Sequence, residues 1–199
     1  MFTLPPGKFD AFIFDCDGTL ADSMPVHFIA WTKAFHEAHP EITFPKDLFY
    51  SLGGTPTAEV ARINLARFPG LTTISPTDLA RRKEQLYLDH LAAVQPIQPV
   101  TDFARHAKIQ GKPVAVASGG DLPVVQATLR FIGLEDFFPV IVTPKDVCRG
   151  KPAPDMFLLA AEKLGVAPER CLVFEDAPPG VEAARAAGMA YTVVQSRQA

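Results

Sequence analysis

The sequence predicts an α/β protein with a doubly wound parallel sheet and a helical domain inserted after the first strand. An apolar run at 11–14 ends in aspartates and glycine within a few residues, as a buried strand does. From residue 101 onward strand and helix patterns alternate, which is typical of βαβ units. Between these parts no convincing strand occurs. We therefore expect a core domain over 1–21 and 93–199 and a helical cap domain over 22–92.

The inserted domain is predicted to begin with a helix that continues to about His39. Asp22 or Ser23 is the expected N-cap, because Pro25 falls in the first turn, where proline is tolerated. The remaining elements are a short helix at 45–50, a loop at 51–56, and helices over 57–68 and 76–94.

A proline-rich stretch at 95–99 is predicted to be a stiff linker back to the core. Glycines follow several of the later helical patterns, as they do at helix ends. The predicted order is a helix at 101–110, a strand at 114–117, a helix at 122–132, a strand at 140–142, a helix at 155–164, a strand at 172–174, a helix at 180–187 and a strand at 191–194.

Composition narrows the class of protein. The 199 residues are 48% hydrophobic and 21% charged, as expected for a globular chain with a sizeable core. A net charge of −3 offers no field that attracts nucleic acid or an anionic membrane. We see neither an apolar run approaching the roughly 20 residues of a membrane span nor a secretory signal. Cys16, Cys148 and Cys171 lack metal-type spacing and are expected to be buried thiols of a cytoplasmic protein.

The first strand ends in two carboxylates, Asp15 and Asp17. At 4 Å and an effective dielectric of 20 such charges repel by roughly 4 kcal/mol, so the pair needs a cation or a shared proton. Gly18 lets the chain turn away sharply. This arrangement fits a nucleophile beside an acid/base and a bound Mg²⁺. A calcium loop or a plain turn can begin in the same way, but the residues after Gly18 supply no ladder of calcium ligands.

Polar groups also follow the later strands. Ligands of an open α/β sheet bind beyond the carboxyl ends of its strands, so these groups should meet. Ser118 and Gly119 offer a hydroxyl and an amide for phosphate, Lys151 precedes two prolines, and the last group is Glu175-Asp176. Each signal is weak alone. Four clustered acids are unstable without cations, which Lys151 and a bound Mg²⁺ would supply, and cations beside a hydroxyl-amide cradle for phosphate predict phosphoryl transfer to an aspartate.

These segments resemble the four ordered motifs of the haloacid dehalogenase-like (HAD) phosphatase superfamily. The motifs are DCDGTLADS, the strand end at Ser118, GKPAPD and FEDAPPGVEAARAAG. The helical insertion after the first motif is similar to the cap of the beta-phosphoglucomutase-like branch. The loop LGGTPT resembles that of bacterial phosphatases acting on fructose 1-phosphate and similar sugar phosphates. The resemblance implies a Rossmann-like core whose cap closes over a small phosphomonoester.

The resemblance also implies roles for the catalytic residues. Asp15 would be the nucleophile that becomes an aspartyl-phosphate, and Asp17 would protonate the leaving alcohol and then activate water. Ser118 and the Gly119 amide would bind phosphoryl oxygens. Lys151 would neutralise charge on the nucleophile and the phosphate.

The implied cofactor is Mg²⁺. Its ligands would be Asp15, the backbone carbonyl of Asp17, and Asp176, with Glu175 helping directly or through water. In the cap, His27 matches a histidine near the acid/base of this branch, although it could simply pack. The remaining expected substrate contacts come from the cap loop and are Gly54, Thr55 and Thr57.

A beta-phosphoglucomutase-type isomerase is the alternative function. Such a mutase must hold a second phosphate, and the family does so with basic residues. Here the loop at 51–58 has no Lys or Arg, and Asp121 stands where mutases place a lysine, so a phosphatase is favoured. A catalytically silent regulatory protein is disfavoured because the four motifs keep their charged residues. We expect a monomer.

Overall fold

The computed structural model describes residues 2–71 and 73–195. Its main sheet has five parallel strands in the order β5-β4-β1-β6-β7. The first strand lies in the centre, so its carboxyl end is flanked by strands on both sides. The strands are β1 (Ala11–Phe14), β4 (Val114–Ala117), β5 (Val140–Val142), β6 (Cys171–Glu175) and β7 (Ala190–Val193).

Helices cover both faces of this sheet. Alternate side chains of β1 enter different apolar clusters: Phe12 and Phe14 pack on one face, Ala11 and Ile13 on the other. A strand buried on both faces is apolar throughout, as predicted. The doubly wound α/β fold is thus confirmed. Its helices are α5 (Gln98–Ile109), α6 (Leu122–Phe131), α7 (Asp155–Leu164) and α8 (Pro178–Ala186).

The inserted segment, which we call the cap, consists mainly of helices. They pack on one another around Trp31, Phe35 and Phe44, whose rings contact each other at centroid distances of 5.1–5.9 Å. Helices α1 and α4 pack against each other. The helices are α1 (Met24–Ala38), α2 (Lys46–Ser51), α3 (Thr57–Leu65) and α4 (Pro76–Leu88).

The structure corrects the predicted linker between the cap and the core. β2 (Ala21–Asp22) and β3 (Gln95–Pro96) form a short antiparallel pair, where a linker was expected at 95–99. Helix α5 begins at Gln98 and includes Pro99, because proline lacks only an N–H that a first turn leaves free anyway.

Three smaller predictions also change. Helix α4 ends at Leu88 rather than near Val94, and a 3₁₀ turn follows at Leu91–Ala93. Helix α8 begins at Pro178 instead of 180. Cys148 is exposed in the loop before α7, whereas the other two cysteines are buried as expected. Within residues 2–71 and 73–195 no helix is long and apolar enough to cross a membrane.

Candidate active site

The register of the sheet brings three of the predicted site residues together. Strands β1 and β6 pair so that Phe14 lies level with Phe174. The residue that follows each of these phenylalanines is acidic: Asp15 follows Phe14, and Glu175 follows Phe174. The Asp15 N–H donates to the Phe174 carbonyl at 2.9 Å. Strand β4 flanks β1 on the other side and ends one residue before Ser118. These polar groups therefore share the carboxyl edge of the sheet.

Lys151 reaches this edge from the loop before α7. Its ammonium donates to Asp15 Oδ1 at 2.6 Å and to Glu175 Oε1 at 2.7 Å. All three side chains are buried, with at most 4% of each residue exposed. Burial alone would lower the pKa of Lys151, but the two carboxylates raise it above its ordinary value. Burial raises the pKa of Asp15 to about 7; Lys151 opposes this rise and Glu175 adds to it.

Two glycines make room for the acids that follow β6. A β-carbon at Gly180 would stand 1.8 Å from Glu175 Oε1, and one at Gly18 would stand 2.1 Å from Asp176 Oδ2. Gly18 also has φ +90°, a backbone conformation that residues other than glycine rarely adopt. The Thr19 hydroxyl donates to Asp176 Oδ1 at 3.0 Å. The turn after β1 is thus shaped around Asp176.

Three carboxylates converge beside Lys151. One oxygen each from Asp15, Glu175 and Asp176 lies within 4.8 Å of the others. Burial, and then the charges on Glu175 and Asp15, raise the pKa of Asp176 well above its usual range. Carboxylate oxygens that repel one another suit a divalent cation, because the cation binds them and thereby relieves their repulsion. The residues present therefore fit a divalent metal ion.

Asp17 has different surroundings from Asp15. Its Oδ1 accepts a hydrogen bond from the Ser23 hydroxyl at 2.6 Å and lies 3.0 Å from His27 Nε2. Burial opposes ionisation, yet these two partners, with Lys83 behind them, bring the pKa of Asp17 down to about 2. Ser23 occupies the N-cap position of α1, but its hydroxyl does not cap the helix. Ser23 is thus the N-cap residue, as predicted, but its side chain bonds to Asp17 instead of capping the helix.

His27 is held in place from two directions. Its ring stacks on Tyr87 with centroids 3.8 Å apart and planes 9° apart, while its Nε2 faces Asp17. Burial, followed by the charge on Lys83, lowers the pKa of His27. Its Nδ1 has no hydrogen-bond partner among the described residues. The structure thus places His27 beside Asp17, as expected from the resemblance.

A cavity separates the cap from the carboxyl edge of the sheet. Asp15, Asp17, Ser118 and Gly119 line it from the core. The cap residues proposed from sequence, His27, Gly54, Thr55 and Thr57, line the opposite wall. Lys151, Glu175 and Asp176 lie behind Asp15, outside this lining.

Sequence reasoning missed two charged cap residues in this cavity, Lys83 and Glu84. Lys83 is only 5% exposed. Its ammonium places a cation on the cap side of the cavity, where the residues predicted from sequence offered only amides and hydroxyls besides His27. The signal was its position on α4, which is four residues after Leu79 and three before Leu86, both buried. Burial lowers the pKa of Lys83 to about 8, against the attraction of Asp17.

Comparisons with known proteins agree with this geometry. The family model of the haloacid dehalogenase-like hydrolases matches residues 9–188. Fructose-1-phosphate phosphatase YqaB of Escherichia coli is 35% identical over 185 residues, covering 92% of this chain and 94% of that protein. Hexitol phosphatase A of Escherichia coli is 34% identical, covering 89% and 79% respectively. The crystal structure of a beta-phosphoglucomutase from Clostridium difficile superposes with a TM-score of 0.82 at 24% identity, covering 92% and 83%, which shows a shared fold.

Proposed function

The chain belongs to the haloacid dehalogenase-like hydrolase family, and we propose that it hydrolyses small sugar phosphates with Mg²⁺ as cofactor. Fructose 1-phosphate is the first candidate substrate, because the named relative YqaB is 35% identical and is covered almost end to end. The observation that carries the proposal is the buried Asp15–Lys151–Glu175 cluster opening into a cavity lined by Ser118 and Gly119.

Asp15 is the proposed nucleophile. Lys151 occupies one of its two carboxylate oxygens at 2.6 Å and leaves the other available for attack on phosphorus. A buried lysine that stays charged also offsets negative charge on the incoming phosphoryl group. The Ser118 hydroxyl and the Gly119 N–H are the proposed donors to the phosphoryl oxygens. The product of the first step is an aspartyl-phosphate, which water then hydrolyses.

Asp17 is the proposed acid/base. With a pKa of about 2 it is ionised in the free protein, so it must gain a proton before it can protonate the leaving alcohol. A phosphate dianion entering beside it raises its proton affinity, because like charges disfavour the ionised form. His27 and Ser23 orient the carboxylate through Oδ1. After transfer, the same carboxylate accepts a proton from the hydrolytic water.

The proposed Mg²⁺ ligands are Asp15, the backbone carbonyl of Asp17, and Asp176, with Glu175 in support. When bound, a divalent ion neutralises charge that spreads over the phosphoryl oxygens during transfer. The preference for Mg²⁺ over other divalent ions rests on the all-oxygen donor set and on the resemblance.

The cap is proposed to bind the sugar part of the substrate and to exclude water from the site. His27, Gly54, Thr55 and Thr57 face the cavity and supply groups that suit neutral hydroxyls. We propose that the chain is divided into a core domain (1–21 and 93–199) and a cap domain (22–92). Since a single chain supplies the whole site, we propose a monomer, and three free cysteines suit the cytoplasm.

A phosphosugar mutase is the second candidate. The fold shared with a beta-phosphoglucomutase favours it, and the Lys83 cation in the cavity removes one argument against it. The test is phosphate release from a panel of sugar monophosphates with and without Mg²⁺, run beside an assay for glucose 6-phosphate formed from beta-glucose 1-phosphate. We expect Mg²⁺-dependent phosphate release. Isomerisation without net phosphate release would favour the mutase instead.

A further inference from the structure

Two adjacent residues of α4 give the cap wall of the cavity its charge. Lys83 and Glu84 both line the cavity, although neighbours in a helix point about 100° apart. Lys83 is buried and Glu84 is partly buried. Neither side chain makes a salt bridge within 4.0 Å in the part of the chain that the structure describes. The Lys83 ammonium lies 5.4 Å from the ring centroid of Trp31 and 5.7 Å from that of Tyr87, so both charges lack a direct ion-pair partner within the described residues.

The core side of the same region adds a second carboxylate. Asp121, at the N-terminus of α6, also lines the cavity and is paired with Lys145 at 2.8 Å. The charge of Asp121 is therefore largely compensated by its own partner. Glu84 has no ion-pair partner within residues 2–71 and 73–195: its pKa is raised by burial and then by Asp121, while Lys83 and the Thr57 hydroxyl lower it. Glu84 is an incompletely solvated carboxylate facing the cavity.

We propose that Glu84 is a specificity-determining residue that accepts hydrogen bonds from free hydroxyls of the substrate and excludes a second anionic group. This inference rests on the proposed function, in which one phosphate sits at Asp15. The remainder of the substrate must then extend towards the cap wall that Lys83 and Glu84 line. A carboxylate is an acceptor without a donor, so hydroxyls satisfy it and phosphate oxygens do not.

The opposing charges explain why Glu84 matters at that wall. Lys83 alone would attract a second phosphate, because a buried ammonium recovers its lost hydration from an anion. Glu84, next to it, cancels that attraction for an anion while leaving both groups able to bond hydroxyls. The pair therefore favours a neutral polyol over a bisphosphate. Thr57, the first residue of α3, is close enough to Glu84 for its hydroxyl to lower the pKa of that carboxyl.

The test compares fructose 1-phosphate with fructose 1,6-bisphosphate in wild type, Glu84→Gln and Glu84→Asp. Glu84→Gln keeps the shape but removes the charge. We expect its kcat/KM ratio of bisphosphate to monophosphate to rise about tenfold or more, which corresponds to roughly 1.4 kcal/mol. Glu84→Asp keeps the charge and should retain the wild-type preference for the monophosphate. Glu59→Gln is the matched control: Glu59 is a half-exposed cap carboxylate paired with Arg62, outside the cavity lining, so its ratio should not change.

A binding measurement separates this inference from the proposed function. Calorimetric dissociation constants for both sugars, measured in the Asp15→Asn background with and without Glu84→Gln, require no turnover. Failure of the wild type to release phosphate from any monophosphate would refute the phosphatase function alone. An unchanged ratio of dissociation constants after Glu84→Gln, or a wild type that already prefers the bisphosphate, would refute the role of Glu84.

Discussion

Gly54 of the cap and Gly119 of the core touch backbone to backbone. A β-carbon at Gly119 would stand 2.3 Å from the Gly54 carbonyl oxygen and 3.1 Å from its α-carbon. Backbone atoms cannot give way as a flexible side chain can, so only glycine at 119 permits this approach. The cap loop therefore seats directly on the loop that carries Ser118, and the described structure is a closed arrangement.

Gly119→Ala is expected to hold the cap away from the core. Gly119 lacks a positive φ, so the backbone accepts alanine and only the contact with Gly54 is lost. A displacement of about 1 Å can cost on the order of 100-fold in rate, so we expect kcat/KM to fall by 10- to 100-fold. The thermal midpoint should change little. Gly70→Ala is the control, because a β-carbon there meets no described residue within 4 Å. Wild-type kcat/KM in Gly119→Ala would show that closure does not need this contact.

Asp176→Ala tests the metal site and its pH dependence together. The pKa of Asp15 rises from 3.8 to about 7 on folding, mainly through burial, so between these values the folded chain holds a proton that the unfolded chain has lost. This cluster therefore lowers stability as pH rises from about 4 to about 7. The pKa of Asp176 is also raised above its usual range, mainly by burial, so Asp176 adds to this loss; the metal-free Asp176→Ala variant should therefore lose less stability over this range and gain less from Mg²⁺.

Thermal midpoints at pH 5 and pH 8, with EDTA or with excess Mg²⁺, measure these effects. Glu182→Ala, which removes an exposed acid from α8, is the control for net charge. An Asp176→Ala protein that Mg²⁺ stabilises as much as the wild type would rule out Asp176 as a ligand.

Thr57→Arg is expected to raise the relative affinity for a bisphosphate and to depress activity on monophosphates by crowding the cavity. Arginine can grip phosphate with two parallel hydrogen bonds. Because Glu84 lies beside Thr57, it will compete for the guanidinium, and the combined Thr57→Arg/Glu84→Gln variant should show the larger shift. The measurement is kcat/KM for fructose 1-phosphate and fructose 1,6-bisphosphate. If neither variant changes the ratio, this wall does not contact the far end of the substrate.

The positions of Asp15, Ser118 and Glu175 could be predicted because parallel strands end at one edge and each residue follows a recognisable apolar run. Lys83 was missed although it falls on the buried face of α4, because a lysine in an amphipathic helix is ordinarily solvated and the tertiary packing of α1 on α4 buries this one. The role of Ser23 was missed for a related reason. The sequence predicts a local hydrogen bond in which its hydroxyl caps the helix. In the structure the hydroxyl bonds instead to Asp17, which the turn after β1 brings close.

The pairing of β2 with β3 was also beyond the sequence pattern. Each strand has only two residues, which is too short to show the alternation of apolar and polar residues typical of a strand. In addition, β3 contains a proline, Pro96, which is uncommon in strands. Asp22 and Gln95 meet only because the cap begins and ends at the same place on the core.

Asp15→Asn tests the central claim, that Asp15 is the nucleophile of a phosphatase. Asparagine is nearly isosteric but is a far poorer nucleophile and metal ligand, so turnover should be abolished while the circular dichroism spectrum stays that of the wild type. Asp136→Asn is the matched control, because Asp136 is exposed and has φ 52°, which asparagine tolerates well. The decisive measurement is phosphate release from fructose 1-phosphate with Mg²⁺ by these three proteins. Loss of release in Asp15→Asn alone is the predicted result; more than a few per cent of wild-type activity in that variant, after deamidation is excluded by mass spectrometry, would contradict it.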